Sequence, residues 1–385
     1  MCGDPCHRAA VSAKVSPQIA APLLAWYDAN ARSLPWRAPP GSPPPDPYRV
    51  WLSEVMLQQT TVAAVRPRFE SWVARWPTLA DFAEASDDDV MAAWAGLGYY
   101  ARARNLLKCA RAVAADHGGR FPDTEAALRA LPGLGDYTAA AVAAIAFGRR
   151  AVVVDANVKR VVTRLFADDG GNIRALADSI TPDDRAGDFA QAMMDLGSSI
   201  CTPRAPKCLL CPLREDCAGF ATGDPEAYPA KKAKAEKPTR HGTIFWLARG
   251  EDVLLVRRPD KGLLGGMRAL PSGPWTLAHP HPSAASPLPP SPIGRGKGPA
   301  AEGGGKGEGE MEGAPAQADW QWLDGEIVHV FTHFRLVCRL AAARVEAQEA
   351  GAGGEWWPVA RLGQAGLPTL FAKAAEKFRR DCDAV

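Results

Sequence analysis

Leu131-Pro132-Gly133-Leu134-Gly135 is followed at once by Asp136-Tyr137-Thr138 and a run of small apolar residues through Ala146. It reads as helix, tight turn, helix. The glycines let the backbone approach closely and turn successive amide N–H groups outward, and the next helix adds its positive end, a combination that binds a phosphate. The same pattern also serves as a plain glycine-capped helix connection. Outward from this turn, residues 16–220 read as helix after helix with hardly a strand. Ser16-Pro17 has the form of an N-cap and first-turn proline. Ser86 before Asp87, Asp88 and Asp89 places anions on a positive helix end that Gly96 and Gly98 close off, and a helix from Tyr99 to His117 stops at Gly118-Gly119. Asp155 reads as the N-cap of a helix reaching Phe166, and a further helix, about Asp188 to Ser199, leads into a run of cysteines.

Near residue 220 the pattern changes. Residues 221–240 contain a slightly basic KKAKAEKPTR with no apolar periodicity, which predicts a solvated linker. Beyond it the period falls to two. Strands are predicted over Thr243 to Ala248 and Val253 to Arg258, again over Glu326 to Val330 and Arg335 to Val345, with a closing helix near Thr369 to Arg379. That is an α+β unit over residues 241–380. Gly273 to Ala316 is low in complexity and predicted to be an unstructured insert, and Ala38 to Pro47 is a smaller stretch of the same kind. These stretches hold much of the surplus in the 36 Gly and 34 Pro, so the surplus says little about the architecture.

The 45 Lys+Arg and 43 Asp+Glu leave a net charge of only +2, so charge announces no nucleic-acid partner by itself. It does not exclude one, because such binding needs cations and amides locally at the phosphates. No apolar run approaches the roughly 20 residues of a membrane span. The first residues lack the apolar stretch of a signal peptide, so a reducing, cytoplasmic home is expected and the nine cysteines call for something other than disulfides. Four of them, Cys201-x6-Cys208-x2-Cys211-x5-Cys217, pack into one loop and have the form of a metal site. Spacing alone leaves zinc and an iron–sulfur cluster open, although a zinc ribbon more often shows two C-x-x-C knuckles. Arg204, Lys207 and Arg214 lie between the ligands and would present positive charge to an anion.

Glu54 lies in Tyr48-Arg49-Val50-Trp51-Leu52-Ser53-Glu54-Val55-Met56-Leu57-Gln58-Gln59-Thr60-Thr61, where helical spacing would put Glu54, Gln58 and Thr61 on one face. That face could be merely solvated. Its apolar flanks argue otherwise, and Gln58-Gln59 is an amide pair suited to hydrogen-bonding bases.

A helix-hairpin-helix over about 123–148, an aspartate some twenty residues on and this cysteine spacing resemble the endonuclease III superfamily of DNA glycosylases. Within it, SEVMLQQT, GLGYYARARNL, LPGLGDYTA, VDANVKRV and FTHF resemble the adenine DNA glycosylase (MutY) family over nearly the whole chain except the termini and the two inserts. The resemblance implies an all-α helix-hairpin-helix glycosylase module with an Fe–S cluster loop at 201–217, followed by a Nudix-like domain. It implies one [4Fe-4S] cluster on the four cysteines, and a monomer acting on double-stranded DNA near the nucleoid. Glu54 becomes the acid that protonates adenine N7, and Asp155 the carboxylate facing the sugar, with Tyr137 and Asn157 shaping the pocket. Two carboxyls in different environments suit an oxocarbenium-like transition state: the apolar flanks should raise the pKa of Glu54, and a helix N-terminus should keep Asp155 ionised.

Lyase-active relatives carry a lysine nucleophile where this chain has Tyr137, so the resemblance implies a monofunctional glycosylase. Gln58, Gln59, Leu97 and Tyr99 would lie beside the mispair. Gly133, Gly135, Lys159, Arg204 and Lys207 would meet the DNA backbone, Lys159 close to the reaction. In the second domain, Phe331, Thr332 and His333 would recognise 8-oxoguanine opposite the adenine, with Thr332 where the family has serine. The Nudix hydrolase signature is missing after Gly265-Gly266, which speaks against nucleotide hydrolysis. A bifunctional glycosylase/lyase for oxidised pyrimidines and a non-catalytic Fe–S DNA-binding protein are the competing readings. Tyr137 and the extra β unit argue against the first, and the Glu54/Asp155 combination against the second.

Overall fold

The computed structural model describes residues 5–168, 171–230, 236–259, 262–277, 312–346 and 354–382. It divides into two compact units, 1–233 and 234–385. Among the described residues no helix is long and apolar enough to cross a membrane.

The first unit is helical. Its elements are α1 (Pro5–Asn30), α2 (Pro47–Met56), α3 (Val62–Arg75), α4 (Leu79–Ala83), α5 (Asp87–Ala93), α6 (Ala101–Asp116), α7 (Glu125–Arg129), α8 (Asp136–Phe147), α9 (Ala156–Phe166), α10 (Ile173–Ile180), α11 (Ala186–Ser199) and α12 (Ala218–Ala221). Local chemistry sets many of the starts: Ser86, Thr78, Thr124, Asn172 and Asp155 each accept a backbone N–H of the helix they cap. α8 is apolar all round, with every residue from Thr138 to Ala146 buried, so it can only be a central helix. Its small side chains let neighbours come to backbone distance. A Cβ on Gly187 of α11 would lie 2.4 Å from the Ala144 carbonyl oxygen. Beside this centre, α2 and the α3–α6 region share an aromatic cluster in which Trp51, Trp72, Trp76, Trp94 and Phe82 meet edge-on or tilted.

The second unit holds one mixed sheet. Its strands are β1 (Thr239–Arg249), β2 (Asp252–Arg257), β3 (Arg268–Ala269), β4 (Gln321–Val330), β5 (Arg335–Arg344) and β6 (Gly354–Pro358). The order is β3-β2-β1-β5-β4, with β6 paired to β2. β1 and β5 run parallel from Thr239↔Arg335 to Ala248↔Arg344, and the other pairs are antiparallel. Sequence patterning finds both hairpins but not the parallel seam between them, which turns the expected α+β unit into an α/β unit. The helix α13 (Thr369–Cys382) covers one face, stacking Phe378 on Trp246 at 5.3 Å and burying Leu370, Phe371, Ala374 and Ala375.

Several sequence boundaries move. Ser16-Pro17 falls inside α1, which begins at Pro5. The Ala38–Pro47 stretch ends by starting a helix, since Asp46 caps α2 and Pro47 is its first residue. Residues 221–230 are exposed or half-buried, and two hydrogen bonds tie them to the helical unit: the Tyr228 carbonyl accepts from Arg164 and the Glu226 carboxylate from the Ala205 N–H. At the ends of the predicted insert, Thr276 bridges to His241, Ser272 to Ile244, and Trp275 stacks on Phe331. Residues 278–311 lie outside the described residues.

Candidate active site

Glu54 sits in the last turn of α2 with 6 % of its surface exposed, among Trp51, Val55 and Met56. The Tyr137 hydroxyl, in the first turn of α8, donates to its Oε2 through a short hydrogen bond and also lies 3.7 Å from Met194 Sδ. Burial pushes the Glu54 carboxyl above its ordinary value. The Tyr137 hydrogen bond and the nearby Arg37 cation oppose this, the Asp155 charge adds to it, and the balance stays upward. Burial, with the negative charge and hydrogen bond of Glu54, likewise holds the Tyr137 phenol well above its ordinary value, so it stays a donor.

Asp155 is the N-cap of α9. Its Oδ1 accepts from Val158 N at 2.6 Å and its Oδ2 from Asn157 Nδ2 at 2.9 Å, which fixes the carboxylate in place while leaving it half-buried. Asn157 is fixed in turn by Arg160, whose Nη2 reaches its Oδ1 at 3.0 Å and the Gly197 carbonyl at 2.6 Å. So α2, α8 and α9 bring Glu54, Tyr137, Asp155 and Asn157 together, one carboxyl sealed and the other open to its edge.

Glu54, Gln58 and Thr61 do not share a helical face. α2 ends at Met56, and Thr61 is the N-cap of α3. Gln58 turns inward and donates to Thr138 Oγ1 at 3.2 Å, while Gln59 is exposed in a left-handed backbone (φ 56°). Tyr99 is 47 % exposed, also left-handed at φ 48°, whereas Leu97 is buried. Gly133 (φ 78°) makes the tight turn and must lack a side chain, since a Cβ would lie 2.6 Å from that of Asn105; Gly135 caps α8 in extended backbone. Lys159, Arg204 and Lys207 are exposed.

The four loop cysteines are half-buried free thiols. They lie near enough for each other's charge to be felt at Cys208, Cys211 and Cys217, and Arg164 Nη1 reaches Cys201 Sγ at 3.4 Å. Among the described residues no three of them close to metal-holding geometry. In number and donor type they suit a metal or an iron–sulfur group.

In the second unit, Phe331, Thr332 and His333 form the turn between β4 and β5. Phe331 packs between His329, Phe334 and Trp275, its carbonyl is held by Lys237 Nζ at 2.9 Å, and Thr332 and His333 are exposed.

The profile of the HhH-GPD superfamily base excision DNA repair proteins matches residues 52–179, and that of the NUDIX domain matches 243–377. A Mycobacterium tuberculosis protein described as an adenine DNA glycosylase is 44% identical over 234 residues, spanning 58% of this chain and 72% of that protein. The chain belongs to the adenine DNA glycosylase family. The human adenine DNA glycosylase is 37% identical over 311 residues, 66% of this chain, and that of Arabidopsis thaliana 37% identical over 295 residues. The chain spans 57% and 46% of these two relatives. Both profiles fall on the described units, the first ending before the cysteine loop.

Sequence reading of this adenine DNA glycosylase family member missed the ion pair beside the acid. Arg37 Nη1 donates to Asp195 Oδ2 at 2.6 Å and Nη2 to Oδ1 at 3.0 Å; both side chains are buried, and Arg32 joins them from the rim. Arg37 lies just before the proline-rich stretch and Asp195 in an apolar helix, so only their being charged where burial is expected could have flagged them.

Proposed function

We propose that this chain excises adenine mispaired with 8-oxoguanine or guanine from double-stranded DNA, as a monofunctional glycosylase in base excision repair. The observation that carries it is a buried Glu54, its carboxyl held above the ordinary range by burial, beside an exposed-edge Asp155. A neutral carboxyl is a general acid for the departing base, and an anchored carboxylate is a counterion for the sugar cation, the division of labour that glycoside cleavage needs. Tyr137 occupies the position where a lyase would carry an amine, and a phenol, having no amine nitrogen, cannot form a Schiff base with the sugar. Adenine must leave the stack to reach so buried an acid. Exposed Gln59 and Tyr99 are available to enter beside the mispair, and the Gly133 and Gly135 turn, with Lys159, Arg204 and Lys207, to hold phosphates. The Phe331–Thr332–His333 turn is the candidate reader of the opposite 8-oxoguanine. Cys201, Cys208, Cys211 and Cys217 would hold one [4Fe-4S] cluster, which when bound cross-links the loop.

Single-turnover excision on duplexes carrying A opposite 8-oxoguanine, A opposite G and A opposite T tests the reading. Base release from the first two without strand cleavage is expected. Release of oxidised pyrimidines with strand scission instead, or no release at all, overturns it. Visible absorption with iron and sulfide analysis tests the cluster separately, and a zinc-only protein overturns that part.

A further inference from the structure

The two exposed side chains Gln59 and Tyr99 sit on turns about forty residues apart in sequence, each in a left-handed backbone that non-glycine residues adopt at a cost. Something must over-determine these turns. Each has internal bonds, Gln58 N–H to the Val55 carbonyl at 3.4 Å in one and Leu97 N–H to the Trp94 carbonyl at 3.1 Å in the other. A single side chain joins them. Arg102, at the start of α6, donates through Nη1 to the carbonyls of Gln58 at 2.7 Å and Val55 at 2.8 Å, with Met56 at 3.4 Å. Its Nη2 donates to the carbonyls of Leu97 at 3.0 Å and Gly98 at 3.2 Å. The guanidinium lies 5.1 Å from the Trp94 ring centre and 5.6 Å from that of Tyr99, and Trp94 Nε1 itself binds the Gly98 carbonyl at 2.9 Å.

The chemistry suits no other residue. Val55 and Met56 are in the last turn of α2, where carbonyls lack the regular i→i+4 partner, that of Val55 having the long Gln58 N–H bond instead, and the dipole is negative, so a cation is stabilised there. Serving two turns at once needs a planar fork with separated donors, which guanidinium has and ammonium lacks. Burial brings Arg102 down to about 10, which leaves it charged at neutral pH. Its Nε is buried without a partner, a cost that the fold retains.

We propose that Arg102 is a positioning residue that locks the Gln58–Gln59 turn to the Leu97–Tyr99 turn, setting the spacing between the two side chains that enter the duplex when adenine is extruded. The role in extrusion rests on the excision reading above; the lock itself does not.

Arg102→Met keeps the apolar stem and removes the fork. Hydrogen exchange on the free variant is expected to quicken by about tenfold or more at residues 57–61 and 96–100 together, with α8 and α11 unchanged. In duplexes with 2-aminopurine replacing the mispaired adenine, the fluorescence rise on extrusion is expected to slow by about tenfold, while duplex affinity changes less than about threefold. Arg102→Lys, which can serve one turn only, should quicken exchange in one turn and leave the other protected; it carries the exchange test if the Met variant does not fold. Exchange unchanged in both turns, or quickened with no change in extrusion rate, overturns the proposal. If the wild-type protein neither extrudes nor excises the base, the excision reading fails, and the exchange result alone then decides the lock.

Discussion

In the excision proposed above, Glu54 must hold a proton and deliver it to the departing base. Its surroundings favour the protonated form, since burial outweighs the Tyr137 hydrogen bond and the Arg37 charge. Glu54→Gln keeps the shape and accepts the Tyr137 hydrogen bond but cannot donate a proton, so single-turnover excision should fall by about 10²- to 10⁴-fold. The same carboxyl sets a pH dependence with a definite sign. Its folded pKa lies above the unfolded value of 4.5, so its contribution to stability is intact below that value and is lost as pH rises through the folded one. The Gln variant should therefore melt with the wild type near pH 4 and at a higher temperature than it at pH 8, as calorimetry across that range would record. Excision should decline on the alkaline side as the acid ionises. Tyr137→Phe removes a bond that favours the ionised form, so the alkaline limb of the pH–rate profile should move upward.

At the scale of elements, α8 depends on contacts with no side chain between backbones. Gly187→Ala would drive a methyl group against the Ala144 carbonyl and should cost about 1–3 kcal/mol in urea unfolding, without touching any residue of the active site. Which helices could be read in advance follows a physical rule. The starts at Ser86 and Asp155 were legible because capping is local, a side chain answering amides two or three residues on. The end of α2 was not. Residues 57–61 contain neither glycine nor proline, and the carbonyls left over there are answered by Arg102 from more than forty positions away. Reading that stretch as continued helix put Gln58 on the face of Glu54, when it turns back to Thr138. Glu54 and Asp155 themselves came from the resemblance of their motifs; the Arg37–Asp195 pair, formed across 158 positions, left no local trace.

For the molecule as a whole, the insert boundaries matter most. A sequence-based deletion from Gly273 would remove Trp275, which stacks at 5.9 Å on Phe331 and lies under Arg258 at 4.7 Å. Stacked aromatic pairs are worth about 0.5–1.5 kcal/mol. Trp275→Ala should therefore leave excision of A opposite G unchanged and lower that of A opposite 8-oxoguanine by roughly two- to tenfold, read by single-turnover kinetics on the two duplexes. The parallel seam of β1 with β5 has a consequence for how the chain is made. β1 carries the buried run Thr243 to Ala248 and leaves the ribosome well before its partner, which begins only at Arg335. At roughly 5–20 residues per second that interval is several seconds or longer, and the low-complexity stretch between them extends it. Throughout it a ready-made, apolar strand has no lasting partner on one side, so the yield of soluble protein should depend on translation speed downstream of β1 as much as on the stability of the finished sheet.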